Sequence, residues 1–190
     1  MTRKADHETS LRTPGARLLS VFQQIDARGD FRKVFDAAQL EQLGLGTPVE
    51  EIYLTTSEPG VIRGMHLQLP PHDHVKLVCC LQGRVLDVLV DLRVGSPMHG
   101  RFETIELEAC RPQALLVPKG VAHGFCVLEG PATLLYAVST RHAPQHDSGI
   151  RWDSFGMNWP VTKAVVSDRD AALPTLADFA SPFRFEAARS

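Results

Sequence analysis

The sequence predicts one mostly-β domain, and three observations support this prediction. Its 190 residues suit a single domain that is large enough to bury a core. Apolar residues make up 44% and charged residues 22% of the chain, which are globular values and argue against disorder. The middle of the chain is a series of short strand-like runs separated by turn signals, a spacing typical of a sandwich or barrel.

Six strands are predicted in succession between residues 76 and 140. Apolar or alternating runs define them, and glycine, proline or polar turns separate them. They lie at residues 76–81, 84–93, 101–107, 113–118, 123–130 and 132–140. In the third of these, Ile105 and Leu107 share one face and polar residues the other, as expected of a half-buried strand.

Helix signals are few. Residues 36–44 predict a helix that Asp36 caps and Gly44 ends. Residues 168–179 predict one or two short turns, which Pro174 interrupts.

Residues 1–15 are polar and predict a flexible N-terminal tail without the apolar core of a signal peptide. Residues 16–190 are predicted to form the single domain, with a few short C-terminal helices. A formal charge of −2 gives no reason to expect a nucleic acid or a membrane surface as partner. No apolar run reaches the ~20 residues that span a bilayer. We expect a cytoplasmic protein whose cysteines are buried free thiols: Cys79, Cys80, Cys110 and Cys126.

Two halves of one β-barrel motif are visible in the sequence. His72-x-His74 fits the first half of the cupin pattern, and Pro118-x-Gly120 followed by His123 fits the second. Both halves lie on strand-rich sequence. The predicted fold class is therefore a mostly-β, cupin-type jelly-roll β-barrel.

The metal site of this motif is incomplete. A bound metal needs three or four convergent neutral or anionic ligands. Residues 75–82 contain no acid, and Lys76 among them would repel a divalent ion. We therefore predict a cavity with no metal, with His72 and His74 as loop or pocket-rim residues. A metal-dependent cupin enzyme stays as an alternative.

Single polar residues in apolar strands predict a pocket suited to proton transfer. His66, Lys76, His123 and Tyr136 each interrupt apolar sequence. Each of them alone suits a satisfied side chain of the barrel interior. The four together favour an acid–base site.

Ordered blocks of sequence between about residue 20 and about residue 175 carry a family resemblance. They are DARGDF (26–31), GVIRGMHLQ (60–68), VKLV (75–78), GRVLDVLVDLRVGSP (83–97), VPKGVAHGF (117–125), LLYAVST (134–140), GIRWD (149–153), WP (159–160) and SDRDAALP (167–174). With these blocks the chain resembles the dTDP-4-dehydrorhamnose 3,5-epimerases, which are sugar-nucleotide epimerases on a cupin barrel. The resemblance implies a nucleotide-sugar substrate, a homodimer, no cofactor and no metal.

The resemblance also implies a role for each matching residue. His66 is implied to be the general base and Tyr136 the acid on the opposite face of the sugar. Asp170 is implied to orient the base, and Lys76 to lie beside the keto oxygen of the substrate. The implied substrate contacts are Arg28, Phe31, Lys33, Glu51, Tyr53, Arg63, His123, His142, Asp147 and Arg169. Of these, Arg28 is implied to reach in from the partner subunit.

Several implied nucleotide contacts depart from the family pattern. Lys33 stands where a glutamate usually contacts thymine, and His142 where a tyrosine stacks on it. Glu51 and Tyr53 replace the usual Gln-x-Asn. Because an ammonium donates hydrogen bonds where a carboxylate accepts them, CDP is an open alternative to dTDP as the carrier. Epimerisation at C3 alone, keto-isomerisation and a non-catalytic sugar-nucleotide binding module are further alternatives.

Overall fold

Strands dominate the computed structural model, which describes residues 2–3, 8–36, 38, 41 and 48–187. Within these residues the chain forms twelve strands and a short C-terminal helix. The strands are β1 (Thr2–Arg3), β2 (Glu8–Ser10), β3 (Arg17–Ser20), β4 (Phe22–Asp26), β5 (Gly29–Lys33), β6 (Glu51–Ser57), β7 (Ile62–Gln68), β8 (Lys76–Asp91), β9 (Phe102–Glu108), β10 (Gln113–Val117), β11 (Val121–Val138) and β12 (Asp147–Gly149), and the helix is α1 (Asp168–Ala171).

The two longest strands, β8 and β11, pair antiparallel along nearly their whole lengths and organise the fold. The first half of β8 pairs with the second half of β11 and with β10, which continues to β3 and β2. The second half of β8 pairs with the first half of β11 and with β9. On its other side β11 pairs with β6 in its second half, and with β7 followed by β12 in its first half. These nine strands are hydrogen-bonded into one sheet, whose two halves, called the two sheets below, each contain half of β8 and half of β11.

This arrangement confirms the mostly-β jelly-roll prediction, with one change in its elements. The predicted strands 76–81 and 84–93 are one strand, β8, and the predicted strands 123–130 and 132–140 are one strand, β11. Gly83 bends β8 instead of ending it. A Cβ atom at Gly83 would lie 2.5 Å from the Glu129 carbonyl oxygen, so the two long strands approach too closely here for any other residue.

Apolar side chains from both sheets meet between them and form the main core. Val78 and Leu89 of β8, Ile105 of β9, Leu115 of β10 and Phe125 of β11 all belong to it. Burying a side chain of this size contributes roughly 1.5–3 kcal/mol relative to leaving it exposed. The core thus fixes the spacing of the two sheets, and with it the width of any cavity between them.

The outer face of the β7–β11–β8 layer is covered by the C-terminal part of the chain. Met65 and Val90 on that face pack with Phe155, Trp159 and Phe183. Because this cover holds β7 from behind, the polar side chains on the inner face of β7 have a rigid support.

The N-terminal residues take part in strands. β2 lies within residues 1–15, which were predicted to be a flexible tail, and it pairs with β3. β1, β4 and β5 form a separate three-stranded sheet. The helix predicted at residues 36–44 lies largely outside the described residues.

The C-terminal region contains α1 and then turns, instead of the few short helices predicted. Pro174 provides the physical reason, because proline disfavours helical geometry in the preceding residue and cannot donate a helical hydrogen bond. The cysteine prediction is wrong at one position: Cys79, Cys80 and Cys126 are buried, but Cys110 is exposed in the turn after β9. No helix among the described residues is long and apolar enough to cross a membrane.

Candidate active site

A cavity of about 610 Å³ lies between the two sheets, within the usual size range of ligand sites. Strands β6, β7, β8 and β11 and the chain after β11 form its walls. It is lined by ten of the residues that the sequence singled out: Glu51, Tyr53, Arg63, His66, Lys76, His123, Tyr136, His142, Asp147 and Arg169. Residues from distant parts of the sequence thus converge on one space.

His66, on β7, lines the cavity and is hydrogen-bonded to Asp170. The distance from His66 Nε2 to Asp170 Oδ1 is 2.7 Å. A carboxylate on Nε2 favours the tautomer with the proton on that nitrogen, which leaves Nδ1 free to accept a proton. Burial lowers the pKa of His66, and the neighbouring Lys76 and Arg169 charges lower it further, while Asp170 opposes the shift. The imidazole is therefore neutral near neutral pH, as a general base requires.

Asp170 is positioned by helix α1 and by the backbone of β7. Ser167 caps α1: its hydroxyl accepts a hydrogen bond of 3.2 Å from the Asp170 amide. The Gly64 amide donates to Asp170 Oδ2 at 3.1 Å. Burial raises the pKa of the Asp170 carboxyl, but the hydrogen bonds from His66 and Gly64 outweigh it and the net pKa is lowered. Asp170 is thus a fixed, ionised partner for His66.

A register shift between β7 and β11 places Arg63 in the same cavity as His66. His66 pairs with His123, whereas Arg63 pairs with Phe125, and the register shifts by one residue between these pairs. Such a bulge changes the alternation of side chains, so residues three apart point to one side. At this point Gly124 packs against β7: a Cβ atom there would lie 2.6 Å from Met65 Sδ and 2.7 Å from the Arg63 carbonyl oxygen.

Lys76 lies at the start of β8 with its ammonium group inside the cavity. The side chain is buried, and Nζ donates a 3.0 Å hydrogen bond to the His66 carbonyl oxygen. Burial lowers the pKa of Lys76 to about 8. The group therefore carries its charge at neutral pH, in surroundings where a single charge acts strongly on a bound anion.

Tyr136, on β11, is a second titratable group that lines the cavity. Its side chain is buried and its ring stacks on Tyr53, with centroids 4.9 Å apart. Burial raises the pKa of Tyr136 well above its usual value, and the nearby Asp87 carboxylate adds to this shift. Tyr136 is therefore a neutral hydroxyl that can donate a proton.

His123 is held by a buried carboxylate that sequence reasoning missed. His123 Nε2 is hydrogen-bonded to Asp87 Oδ1, and both side chains are buried. Asp87 Oδ2 has no hydrogen-bond partner among the described residues. The available signal was a lone acid inside the apolar strand sequence RVLDVLVDLR, at residue 87. Asp87 thus fixes the orientation of His123 from behind the cavity wall.

Charged and aromatic residues surround the outer part of the cavity. Arg169 forms a 2.7 Å ion pair with Asp147. Glu51 accepts a 3.0 Å hydrogen bond from the His142 amide, which ties β6 to the chain after β11. The pKa of Tyr53 is raised to about 12, mainly by burial and also by the Glu51 and Asp147 carboxylates.

His72 and His74 lie in the loop between β7 and β8. His74 lines the cavity, and its Nδ1 accepts a 3.1 Å hydrogen bond from Gln68 Nε2. Burial lowers the pKa of His74 to about 3, so this ring is neutral. His72 packs against His146 instead, with ring centroids 4.4 Å apart.

Three predicted substrate contacts lie away from the cavity. Arg28, Phe31 and Lys33 belong to the β4–β5 hairpin and are exposed, and none of them lines the cavity of its own chain. Arg28 is paired with Asp26, and 58% of Phe31 is exposed. Within one chain these residues cannot contact a ligand beside His66.

Taken together, the cavity holds a neutral base, a neutral acid and a buried cation. Asp170 is hydrogen-bonded to His66, the Tyr136 phenol is neutral, and Lys76 carries positive charge. Arg63 and Arg169 add cationic groups suited to phosphate oxygens. This set can remove a proton next to a carbonyl group, stabilise the enolate and return a proton to carbon.

Comparisons with known proteins agree with this chemistry. A family model described as dTDP-4-dehydrorhamnose 3,5-epimerase matches residues 10–178. The dTDP-4-dehydrorhamnose 3,5-epimerase of Sinorhizobium fredii is 36% identical over 167 residues, covering 84% of each chain. The dTDP-4-dehydrorhamnose 3-epimerase of Streptomyces niveus is 33% identical over 159 residues, covering 82% of this chain and 77% of the relative.

A solved structure shares the whole architecture. It is the dTDP-6-deoxy-D-glucose-3,5-epimerase of Legionella pneumophila in complex with dTDP-4-keto-L-rhamnose. The TM-score is 0.90 at 29% identity, and the alignment covers 95% of this chain and 99% of the other.

The first testable prediction concerns the two tyrosines, Tyr53 and Tyr136, which are the only ones in the sequence. Because the pKa of Tyr53 is raised to about 12 and that of Tyr136 well above 10.0, the native protein should form no phenolate at pH 10. The unfolded protein should ionise both groups near ~10. Phenolate absorbance against pH, with and without denaturant, measures both titrations.

Tyr53→Phe provides the control, because it leaves Tyr136 as the only phenol. Native Tyr53→Phe should form no phenolate until the protein unfolds. Phenolate in this variant at pH 10, with the fold intact by circular dichroism, would contradict the desolvation of Tyr136.

Proposed function

The chain belongs to the dTDP-4-dehydrorhamnose 3,5-epimerase family, and on this premise we propose that it epimerises C3, C5 or both of a nucleotide-linked 4-keto-6-deoxyhexose. The observation that carries the proposal is the cavity in which the His66–Asp170 pair, Lys76 and Tyr136 meet. The 3-epimerase relative is the reason to keep C3 alone as an alternative.

The reaction begins with removal of a proton from the carbon next to the ketone. The 4-keto group acidifies the C3 and C5 hydrogens, because the electrons of the broken C–H bond pass to the carbonyl oxygen. His66 Nδ1 accepts the proton, and Asp170 stabilises the imidazolium through its 2.7 Å hydrogen bond. Lys76 is proposed to lie at the oxygen where negative charge develops.

Inversion follows when the enolate receives a proton on its other face. Tyr136 donates its hydroxyl proton to carbon, and the carbonyl group re-forms as its negative charge is withdrawn. The phenolate then regains a proton from solvent, and His66 releases the one it took. The side chains of His66 and Tyr136 carry the protons that leave and reach carbon, and solvent restores the phenol.

The diphosphate and base are proposed to occupy the outer part of the cavity. Arg63 and Arg169 would contact phosphate oxygens, with His123 as a polar contact nearer the sugar. We propose dTDP as the carrier, since the relatives above are named for dTDP-linked sugars. The CDP alternative rests on Lys33 and His142, which differ from the family's usual thymine contacts.

A homodimer is proposed to complete the site. The β4–β5 hairpin exposes Phe31 and Ile25, at 58% and 55%, beside Arg28. Exposed apolar residues on a projecting hairpin favour contact with another chain. We propose that the hairpin of one subunit brings Arg28, Phe31 and Lys33 to the cavity of the other.

A cytoplasmic location is proposed as well. All four cysteines are free, and Cys79, Cys80 and Cys126 are buried. Free thiols of this kind suit a reducing compartment.

The second prediction tests the two proton-transfer roles. In D2O with dTDP-4-keto-6-deoxyglucose, the protein should incorporate deuterium at C3, C5 or both and form the corresponding epimer. His66→Ala should abolish exchange at both carbons, since no base remains. Tyr136→Phe should retain exchange but lose inversion by about 10²–10⁴-fold, the usual contribution of a general acid. NMR of the sugar protons separates exchange from inversion.

The same experiment with CDP-4-keto-6-deoxyglucose decides the carrier. Absence of exchange with both substrates would refute the epimerase activity. Full epimerisation by Tyr136→Phe would remove Tyr136 from its proposed role.

The third prediction concerns pH. The pKa of His66 is lowered from 6.5, and that of Lys76 is lowered to about 8. The value of kcat/KM should therefore fall on the acid side below pH 6.5 as His66 is protonated, and on the basic side above about pH 8 as Lys76 loses its charge.

Lys76→Gln should lower kcat by about 10²–10³-fold and remove the basic limb, because the charge that stabilises the enolate is absent at every pH. Lys163→Gln removes an exposed lysine outside the cavity and should keep both limbs. A basic limb near pH 8 that persists in Lys76→Gln would assign that limb to another group.

The fourth prediction tests whether Arg28 acts across subunits. Arg28→Ala and His66→Ala, each inactive or nearly so alone, should regain activity when the two chains are unfolded and refolded together. A mixed dimer then has one of its two cavities with both residues intact. Because about half of the dimers in an equal mixture are mixed, the mixture should recover about a quarter of wild-type activity. Mixing without unfolding is the control. No recovery, in mixtures shown to contain the mixed dimer, would place Arg28 outside the partner's cavity.

A further inference from the structure

Tyr53 and Tyr136 are direct neighbours on adjacent strands. β6 pairs antiparallel with β11 in a register that sets Tyr53 opposite Tyr136. Opposed residues on one face of a sheet lie close enough for their rings to touch. Here the rings are nearly parallel, with centroids 4.9 Å apart and an interplanar angle of 12°.

A third ring limits Tyr136 further. His123 meets Tyr136 at 66°, with centroids 6.0 Å apart. His123 cannot turn freely, because its Nε2 is bonded to the buried Asp87. The phenol of Tyr136 is thus in contact with one fixed imidazole and with the ring of Tyr53.

Tyr53 is itself held at the outer part of the cavity. It lies on β6 between residues whose side chains point outward, and 59% of Leu54 is exposed. The start of β6 is tied by the hydrogen bond from the His142 amide to Glu51. Tyr53 is therefore a ring on a fixed backbone, placed to limit the torsions of Tyr136.

The orientation of Tyr136 decides the outcome of each proton abstraction. After His66 removes a proton, the enolate can be protonated by Tyr136 on the far face, which inverts the carbon. It can also be protonated again by the His66 imidazolium on the near face, which exchanges hydrogen without inversion. If Tyr136 turns away from the sugar, only the second route remains.

We propose that Tyr53 is a positioning residue, whose ring holds Tyr136 in the orientation that protonates the face opposite His66. Tyr53 thereby sets the fraction of exchange events that end in inversion. This inference rests on the proposed epimerase function.

The test compares Tyr53→Leu, Tyr53→Phe and Leu54→Ala in D2O with dTDP-4-keto-6-deoxyglucose. For each variant, NMR measures both deuterium incorporation and epimer formation at each carbon. Tyr53→Leu removes the stacked ring and should lower inversion per exchange event by about three- to tenfold, the shift that loss of a stacking contact allows. Tyr53→Phe keeps the ring, so the ratio of inversion to exchange should stay within about twofold of wild type, whatever the effect of this variant on the overall rate. Leu54→Ala, which points outward from the same strand, should keep the wild-type ratio.

Two results would overturn the proposal. The first is an unchanged ratio of inversion to exchange in Tyr53→Leu; if both rates fall equally, the ring has a merely structural role. The second is an equal loss of this ratio in Tyr53→Phe, which assigns the effect to the hydroxyl.

A measurement without substrate separates this inference from the proposed function. The chain has two tyrosines, so ring-labelled tyrosine gives NMR signals from Tyr53 and Tyr136 alone. Wild type should show contacts between the two rings, and Tyr53→Leu should shift and broaden the Tyr136 signals. Absence of ring contacts, or unchanged Tyr136 signals in Tyr53→Leu, would overturn the positioning role. Absence of deuterium exchange by the wild type would refute the epimerase function instead.

Discussion

The pairing of β8 with β11 is the constraint on which the site depends. Its register sets Tyr136 opposite Val78 and His123 opposite Leu89. Because the two strands bend together, residues from both of their halves reach one space between the sheets. β6 and β7 then add to the two sides of β11, and their side chains enter the same space. The cavity therefore follows from one long antiparallel ladder, and a register slip along it would turn every one of these side chains to the other face.

The local sequence predicted where β8 and β11 are extended, but it did not predict that each is one continuous strand. Alternation identified both halves of β8 and β11, but a turn signal such as Gly83 looks the same whether a strand ends or bends there. Only the partner strand decides between these outcomes. The β4–β5 hairpin and β6 were not predicted from pattern, because many of their residues are exposed and their apolar residues, such as Phe31 and Leu54, do not mark a buried face.

The residues proposed to be catalytic could be selected from the sequence, but their partners depend on the fold. His66, Lys76 and Tyr136 are polar residues in apolar strands, which is a local signal. Asp170 reaches His66 from a helix about a hundred residues further along the chain. The hydrophobic pattern of the sequence does not predict that contact. Asp87 behind His123 was missed for the same reason. Lys76 is the informative exception, because a cation in place of a metal-binding acid already indicated a cavity that supplies its own positive charge.

β6 lies at the edge of its sheet, and this position separates the residues that keep the family pattern from those that depart from it. The residues proposed to move protons lie on or beside the central strands, where neighbours on both sides fix them. The residues departing from the family pattern lie on β6, the β4–β5 hairpin and the chain after β11, where fewer contacts constrain them. Substitutions among these residues can therefore alter the outer wall of the cavity while His66 and Asp170 keep their places, with Tyr53 as the exception because its ring stacks on Tyr136. An edge strand bordering a rigid centre thus offers a place where the cavity wall can vary while its centre is kept.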